Sequence, residues 1–389
     1  MPRTLTPLLL AVLAIFTAQQ LLTPLFPVLT HDLDLTASQY GLVLSISAAA
    51  LALSSPLWGL ALDFLGLRAV LIAGLALCVA GLAGFAAAVT LASGETLTPD
   101  LAFVAMLVFR SLVLGGGLAS LPVAALAVAG TSYEAQRTGA VGLVGAASGL
   151  AAVLGPLVGG GLAVVSLMVP LYLAPVIALV VAVVVLVVVR PVPPVEQPPR
   201  FQPWEVLPAF GAGFLLHLSF GLAEVVVILL VKDRMQTDIS AGTTWLVPIV
   251  AAVGLLGAQA VLVPLLRWPA GRLMKIGAPV ALAGYAVLAV APSVLLVALG
   301  FLVVGLGVGL AVTGFAAAAT LAAGPRHQGL VAGLVNATAG IAVVVAPMAS
   351  GLLHDVEPNA PVIAAGVAAA LATGLALLPI GPSRVRIPV

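Results

Sequence analysis

Only 7% of this 389-residue chain is charged, and apolar runs long enough to cross a bilayer follow one another from end to end. A water-soluble domain needs far more charge to cover its surface, whereas lipid solvates leucine and valine directly. The pattern demands a polytopic membrane protein. Its chemistry must lie in the few polar groups left inside the membrane.

A spanning helix takes about 20 apolar residues and satisfies its own backbone hydrogen bonds, as hydrocarbon requires. Charges and Pro/Gly breaks give twelve such stretches: 5–30, 37–62, 69–92, 101–129, 137–165, 167–190, 204–231, 241–266, 273–292, 294–323, 328–353 and 360–381. Barrel strands would be about 10 residues long with polar alternation, so these Gly- and Ala-rich runs read as helices. The narrowest divisions fall at 165–167 and 292–294. The expected fold is an all-α polytopic membrane protein of twelve transmembrane helices.

Basic residues orient it. With the N-terminus inside, cytoplasmic segments hold Arg3, Arg68, Arg137, Arg190, Arg200, Arg267, Arg272, Lys275, Arg326, Arg384 and Arg386. The outer loops hold only Lys232 and Arg234. That eleven-to-two split is the asymmetry expected of cytoplasmic loops. The outer loops carry acids instead: Asp32, Asp34, Glu95, Asp100, Asp233, Asp238, Asp355 and Glu357. Both termini are expected in the cytoplasm and the chain in the inner (plasma) membrane. Span one runs beyond a signal-peptide core and holds Pro24 and Pro27 near its outer end, which argues against cleavage. The single cysteine, Cys78, excludes an intrachain disulfide.

The chain divides near its midpoint. Residues 191–203 are Pro-rich, a semi-stiff composition suited to joining two bundles, 1–190 and 204–389. The halves are related: Gly142–Pro156 and Gly333–Pro347 match at eight of fifteen positions, without a gap, at an offset of 191. Parallel six-span repeats around a midplane substrate site are a known transporter plan.

Three motifs sharpen this reading. The loop after span two holds Gly59, Asp63, Gly66 and Arg68, in the pattern G-x-x-x-D-x-x-G-x-R. Span four holds Arg110 followed by Gly115, Gly116 and Gly117. Span five holds Gly149, then Gly155-Pro156 and Gly159-Gly160, preceded by Glu134 and Arg137. In this order, on these spans, they resemble the major facilitator superfamily over nearly the whole chain, and the span-five motif resembles its twelve-span drug:proton antiporter branch. The resemblance implies the major facilitator fold, two pseudo-symmetric six-helix bundles. It also implies a conformational latch at Gly59, Asp63, Gly66 and Arg68, with Glu134 and Arg137, in which Asp63 meets the start of span eleven near Gly329. Phe64 stands where the family often has a basic residue, and the first glycine after Arg110 comes one residue late. Read without the family, Asp63 is an acid near a helix end, suited to a helix N-terminus or an arginine, or else part of a D-x-x-G turn. Gly149, Gly155, Pro156, Gly159 and Gly160, with Pro347 at the matching place in span eleven, permit close helix approach and a bend. They serve a hinge or ordinary tight contact.

Few polar groups lie within the spans. Arg110 sits about ten residues into span four, near mid-depth, where it must find acceptors; Gln19 and Gln20 lie at comparable depth. Glu224 is the one acid well inside a span, with His217 two turns earlier on the same face. Intramembrane carboxyls and histidines serve proton relays. The alternatives are a structural tie for Glu224 and a satisfied core histidine for His217. Phe214, Phe220, Trp245 and Asn336 complete the candidate substrate cavity with Gln19, Gln20 and Arg110. Such a cavity is too poor in hydrogen-bonding groups for a sugar and too poor in bases for a polyanion.

The expected function is secondary active transport of a small, largely apolar or amphipathic solute, by proton-coupled export. Metabolite uptake by symport or uniport is the alternative, and an integral-membrane enzyme a distant one. The four histidines, His31, His217, His327 and His354, show no ligand spacing, and no P-loop occurs, so neither a metal nor an ATP-driven cycle is expected. No cofactor and no nucleic-acid partner are expected. The partners are the solute, protons and the bilayer, and the working form is a monomer.

Overall fold

The computed structural model describes residues 4–26, 28–29, 36–94, 96–189, 207–235, 241–323 and 327–378. These include twelve helices long and apolar enough to cross a membrane. In chain order they are α1 (Leu5–Leu25), α2 (Gly41–Leu65), α3 (Leu67–Ser93), α4 (Pro99–Gly130), α5 (Gln136–Ala163) and α6 (Met168–Val188). The second six are α7 (Leu207–Val227), α8 (Ile249–Leu266), α9 (Ala270–Val290), α10 (Val294–Ala322), α11 (Gln328–Val356) and α12 (Ala360–Leu377). No strand occurs among the described residues. The Pro-rich 191–203 stretch lies outside them.

The boundaries follow local chemistry. A capping box starts the second helix at Ala37: Thr36 Oγ1 accepts from Gln39 N, and Gln39 Oε1 accepts from Thr36 N. Thr98 and Ser293 cap α4 and α10 in the same sense, accepting from Leu101 N and Leu296 N. Span one, expected to run to residue 30, ends its regular α-helix at Gln20 and turns 3-10 over Thr23–Leu25. Pro24 has no N–H to continue the ladder. The narrow divisions are real breaks: Ser166 Oγ takes the Met168 N–H, and Ala291 leaves helical geometry before Ser293.

Two compact units emerge from the backbone. The first comprises Met1–Ala129, Ala147–Gln197 and Ala332–Gly340; the second comprises Gly130–Ala146, Pro198–Val331 and Ile341–Val389. The boundary thus runs through α5 and α11. The first stretch of α5 packs within the second unit, and residues 332–340 of α11 pack within the first.

Each unit has a tight pair of helices at the same place in its half. In the first, a Cβ at Gly81 would fall 2.7 Å from Leu114 N, and one at Gly117 would fall 2.9 Å from Gly74 O. That joins α3 to α4. In the second, a Cβ at Gly277 would fall 2.6 Å from Ala311 N and one at Gly284 2.7 Å from Val304 N, joining α9 to α10. Between helices in lipid there is no hydrophobic drive, so contacts of this closeness supply van der Waals attraction instead. The second unit adds a buried cluster around Tyr285, Phe301 and Val304.

Candidate functional site

Two π-helical turns interrupt the spans, over Leu107–Val113 in α4 and Gly257–Leu262 in α8. A π turn inserts a residue into the helical register and is frequent at functional sites. Each turn here buries a polar side chain next to a second buried residue: Arg110 beside Ser111, and Gln259 beside Ala258.

Arg110 is only 2% exposed. Its Nη1 donates to Ser47 Oγ on α2 at 3.2 Å, and its guanidinium lies 5.5 Å from the ring centroid of Phe26. Phe26 in turn stands against Phe85 of α3. Ser111 Oγ donates to Val43 O at 2.7 Å, fixing the π turn on α2. The sequence offered Gln19 and Gln20 as acceptors for Arg110. Both are half-buried, and Gln20 Oε1 accepts from Thr23 Oγ1. Gln20 also lies where a Cβ on Gly155 would fall, and Leu21 O where one on Gly159 would, so the span-five glycines seat α5 on the end of α1.

In the second unit, His217, Gly221 and Glu224 share one face of α7. His217 is half-buried, with Nδ1 2.7 Å from Gly213 O. The Glu224 side chain is exposed, although Leu222, Ala223, Val226 and Val227 around it are buried. A Cβ at Gly221 would lie 2.7 Å from Ala346 Cβ, so this face turns towards α11. Ser350 Oγ on α11 donates to Leu222 O at 2.8 Å and holds the two helices together. Behind Glu224, the Tyr285 hydroxyl donates to Ser219 Oγ at 3.2 Å. Phe214 and Phe220 are half-buried, and Pro347 is exposed on α11. The side chains of Trp245 and Glu134 lie outside the described residues.

The related segments of α5 and α11 make matched crossings. Gly142 stands at the α5 crossing with α8, where a Cβ would fall 2.9 Å from Gln259 O. Its counterpart Gly333 stands against Ser55 O of α2. Three residues on, the amide changes sides. Asn336 of α11 donates Nδ2 to Ser55 Oγ at 2.8 Å. At the α5 crossing the matching residue is Gly145, and the amide comes from Gln259 of α8, whose Oε1 lies 2.7 Å from a Cβ built on Gly145. Gln259 Oε1 is buried without a hydrogen bond among the described residues. Gln259 and Ser55 were missed in the sequence, where a lone glutamine and a lone serine in apolar text carry no pattern.

At the loop after α2, Gly59 is buried, Asp63 half-buried and Arg68 exposed. Gly66 adopts φ 82°, ψ 169°, a region open essentially to glycine alone, which lets α2 stop and α3 start without a spacer. Arg137 donates from Nε and Nη2 to Ser132 O and from Nη1 to Thr320 O. Thr320 O also accepts from Gln328 Nε2 at 2.8 Å, so one carbonyl ties α5, α10 and α11. Gly149 and Gly160 are half-buried.

The sequence profile of the Major Facilitator Superfamily matches residues 8–347. The chain belongs to the Major Facilitator Superfamily. It is therefore a multi-pass membrane transporter rather than an enzyme, working by secondary transport on small-molecule substrates. Solved structures of facilitator transporters share its fold. The human organic anion transporter MFSD10 (TETRAN) is 19% identical with TM-score 0.75, over 98% of this chain and 99% of that one. A bacterial homologue of the iron transporter ferroportin is 16% identical with TM-score 0.77, over 96% and 98%. The E. coli fucose:proton symporter FucP is 14% identical with TM-score 0.73, over 96% and 98%. These identities carry the fold and leave the substrate open. No curated protein matches the sequence.

Proposed function

We propose that this facilitator exports a small, largely apolar or amphipathic solute in exchange for protons, as in the drug:proton antiporter branch, with Glu224 as the proton carrier and His217 as its neighbour. The carrying observation is Glu224 itself, an acid on a helix long and apolar enough to cross a membrane, on the same face as His217. An acid at that depth faces water or protein, because hydrocarbon contact is too unfavourable. An intramembrane carboxyl is the chemistry a proton carrier needs. Export is supported by the resemblance of the Gly155–Gly160 segment to the antiporter motif. An apolar solute is supported by the small number of polar residues within the spans as a whole. A second reading, uptake by symport or uniport, draws on Gln19 and Gln20, which stand where many antiporters carry an acid. Proteoliposomes with an imposed pH gradient, screened against a compound panel, decide between them. Counterflow indifferent to the gradient would favour the uniporter.

The orientation belongs to the same reading: both termini in the cytoplasm, six spans per half, in the inner (plasma) membrane, working as a monomer. A cysteine placed at Asp100 or Glu357 should label from outside, and one at Arg68 or Arg200 should not. Outside labelling at Arg200 would overturn the two-bundle arrangement.

Asp63 serves in this reading as the latch acid. Asp63→Asn should shift the conformational balance by about 1–2 kcal/mol, the scale of a charge at a partly buried helix terminus, and slow transport while the fold survives. Distances between labels on α2 and α11 report it. An unchanged distribution reduces Asp63 to a turn residue.

A further inference from the structure

The short link between α8 and α9 carries an unusual backbone conformation. Arg267 closes α8 with φ 50°, ψ 31°, the one positive-φ residue other than glycine among the described residues. A left-handed arginine is unfavourable and uncommon, and such outliers persist where the side chain has a use. At the end of α2 a positive φ also occurs, there on Gly66, in a different region at φ 82°, ψ 169°. Glycine would be the relaxed choice at 267 as well.

What Arg267 brings is charge at a membrane edge. It is exposed between two spans, at the level where their apolar stretches end. Beside it, Trp268 is half-buried, packed against the buried cluster of Ala258, Val263, Leu273 and Leu310 in the second unit. The Arg272 guanidinium lies over the Trp268 ring, 4.5 Å from its centroid, a cation–π contact. Lys275, three residues on, emerges from the same face of α9 and is exposed. No Asp or Glu occurs anywhere between Asp238 and Asp355, so the helices flanking this corner offer it no carboxylate. Tryptophan belongs at the headgroup level of a bilayer, and basic corners between spans take anionic headgroups.

We propose that Arg267, Arg272 and Lys275, braced by Trp268, form a binding site for the phosphate of an anionic phospholipid headgroup. All three cations are exposed within nine residues of chain at this end of α8 and α9, and a glycine at 267 would leave two of them.

Native mass spectrometry of the full chain in detergent, titrated with phosphatidylglycerol, phosphatidylcholine or inorganic phosphate, tests this. Wild type should retain phosphatidylglycerol in preference to phosphatidylcholine. Arg267→Gly should weaken phosphatidylglycerol binding roughly fivefold, the scale of one basic residue at a membrane surface. Its melting temperature should be unchanged or higher, because the backbone relaxes. The double variant Arg272→Gln, Lys275→Gln should weaken it further, with phosphatidylcholine binding unaffected. Undiminished phosphatidylglycerol binding by both variants would overturn the site, as would equal retention of the two lipids by wild type. Displacement of phosphatidylglycerol by equimolar inorganic phosphate would make it a free-anion site and overturn the lipid assignment.

Discussion

Glu224→Gln should abolish substrate accumulation driven by a pH gradient and leave substrate exchange at equal pH largely intact. The amide keeps the shape of the protonated carboxyl and cannot release a proton. For a one-to-one exchange, a gradient of one pH unit supports about tenfold accumulation, since each unit is worth about 1.4 kcal/mol per proton. The variant should therefore fall from about tenfold to parity under that gradient. The protein should still fold, because the amide is isosteric with the carboxyl and the buried neighbours Leu222, Ala223 and Val226 are untouched. Accumulation that survives in the variant removes Glu224 from the mechanism and turns attention to His217.

Gly333→Val should strongly disturb the crossing of α2 with α11. A Cβ at Gly333 falls on Ser55 O, and 2.9 Å from Pro56 Cα. Both are backbone atoms, so no side-chain rotation relieves the clash. The crossing can only spread, at about 1–3 kcal/mol for overpacking of this kind. The conformer that closes α2 on α11 should then lose roughly 5- to 150-fold in population, and transport with it. Asn336→Ala removes only the hydrogen bond to Ser55 Oγ and should shift the balance less, by about 0.5–1.5 kcal/mol. Spin-label distances between α2 and α11 separate the two cases. A Gly333→Val distribution identical to wild type would mean that the contact is not part of the cycle.

The spans were legible because hydrocarbon tolerates so little charge that composition alone marks them. Their ends were less so. Thr36 and Ser293 start helices through side-chain hydrogen bonds, which hydropathy does not register, and the end of α1 turns 3-10 around Pro24 before its apolar run is over. The site was legible where charge is rare: Arg110 and Glu224 stood out by type and depth. Their neighbours did not. Ser47 and Phe26, which meet Arg110, are common residues in such text, and the π turns that bury Arg110 and Gln259 leave no mark in the sequence period. The repeat of α5 in α11 was visible, but not that the amide passes from Asn336 on α11 to Gln259 on α8 between the two crossings.

The passage of α11 through the first unit also governs how the chain can be made. Ser55 and its partner Asn336 are 281 residues apart. At translation rates of 5–20 residues per second, α2 waits in the membrane for roughly 15–55 s before the helix that completes its unit is synthesised. During that interval its Ser55 face is open to lipid or to any other helix with a small-residue surface. The first half is thus a nascent intermediate rather than a finished module, and its assembly depends on what the insertion machinery keeps away from it until α11 arrives.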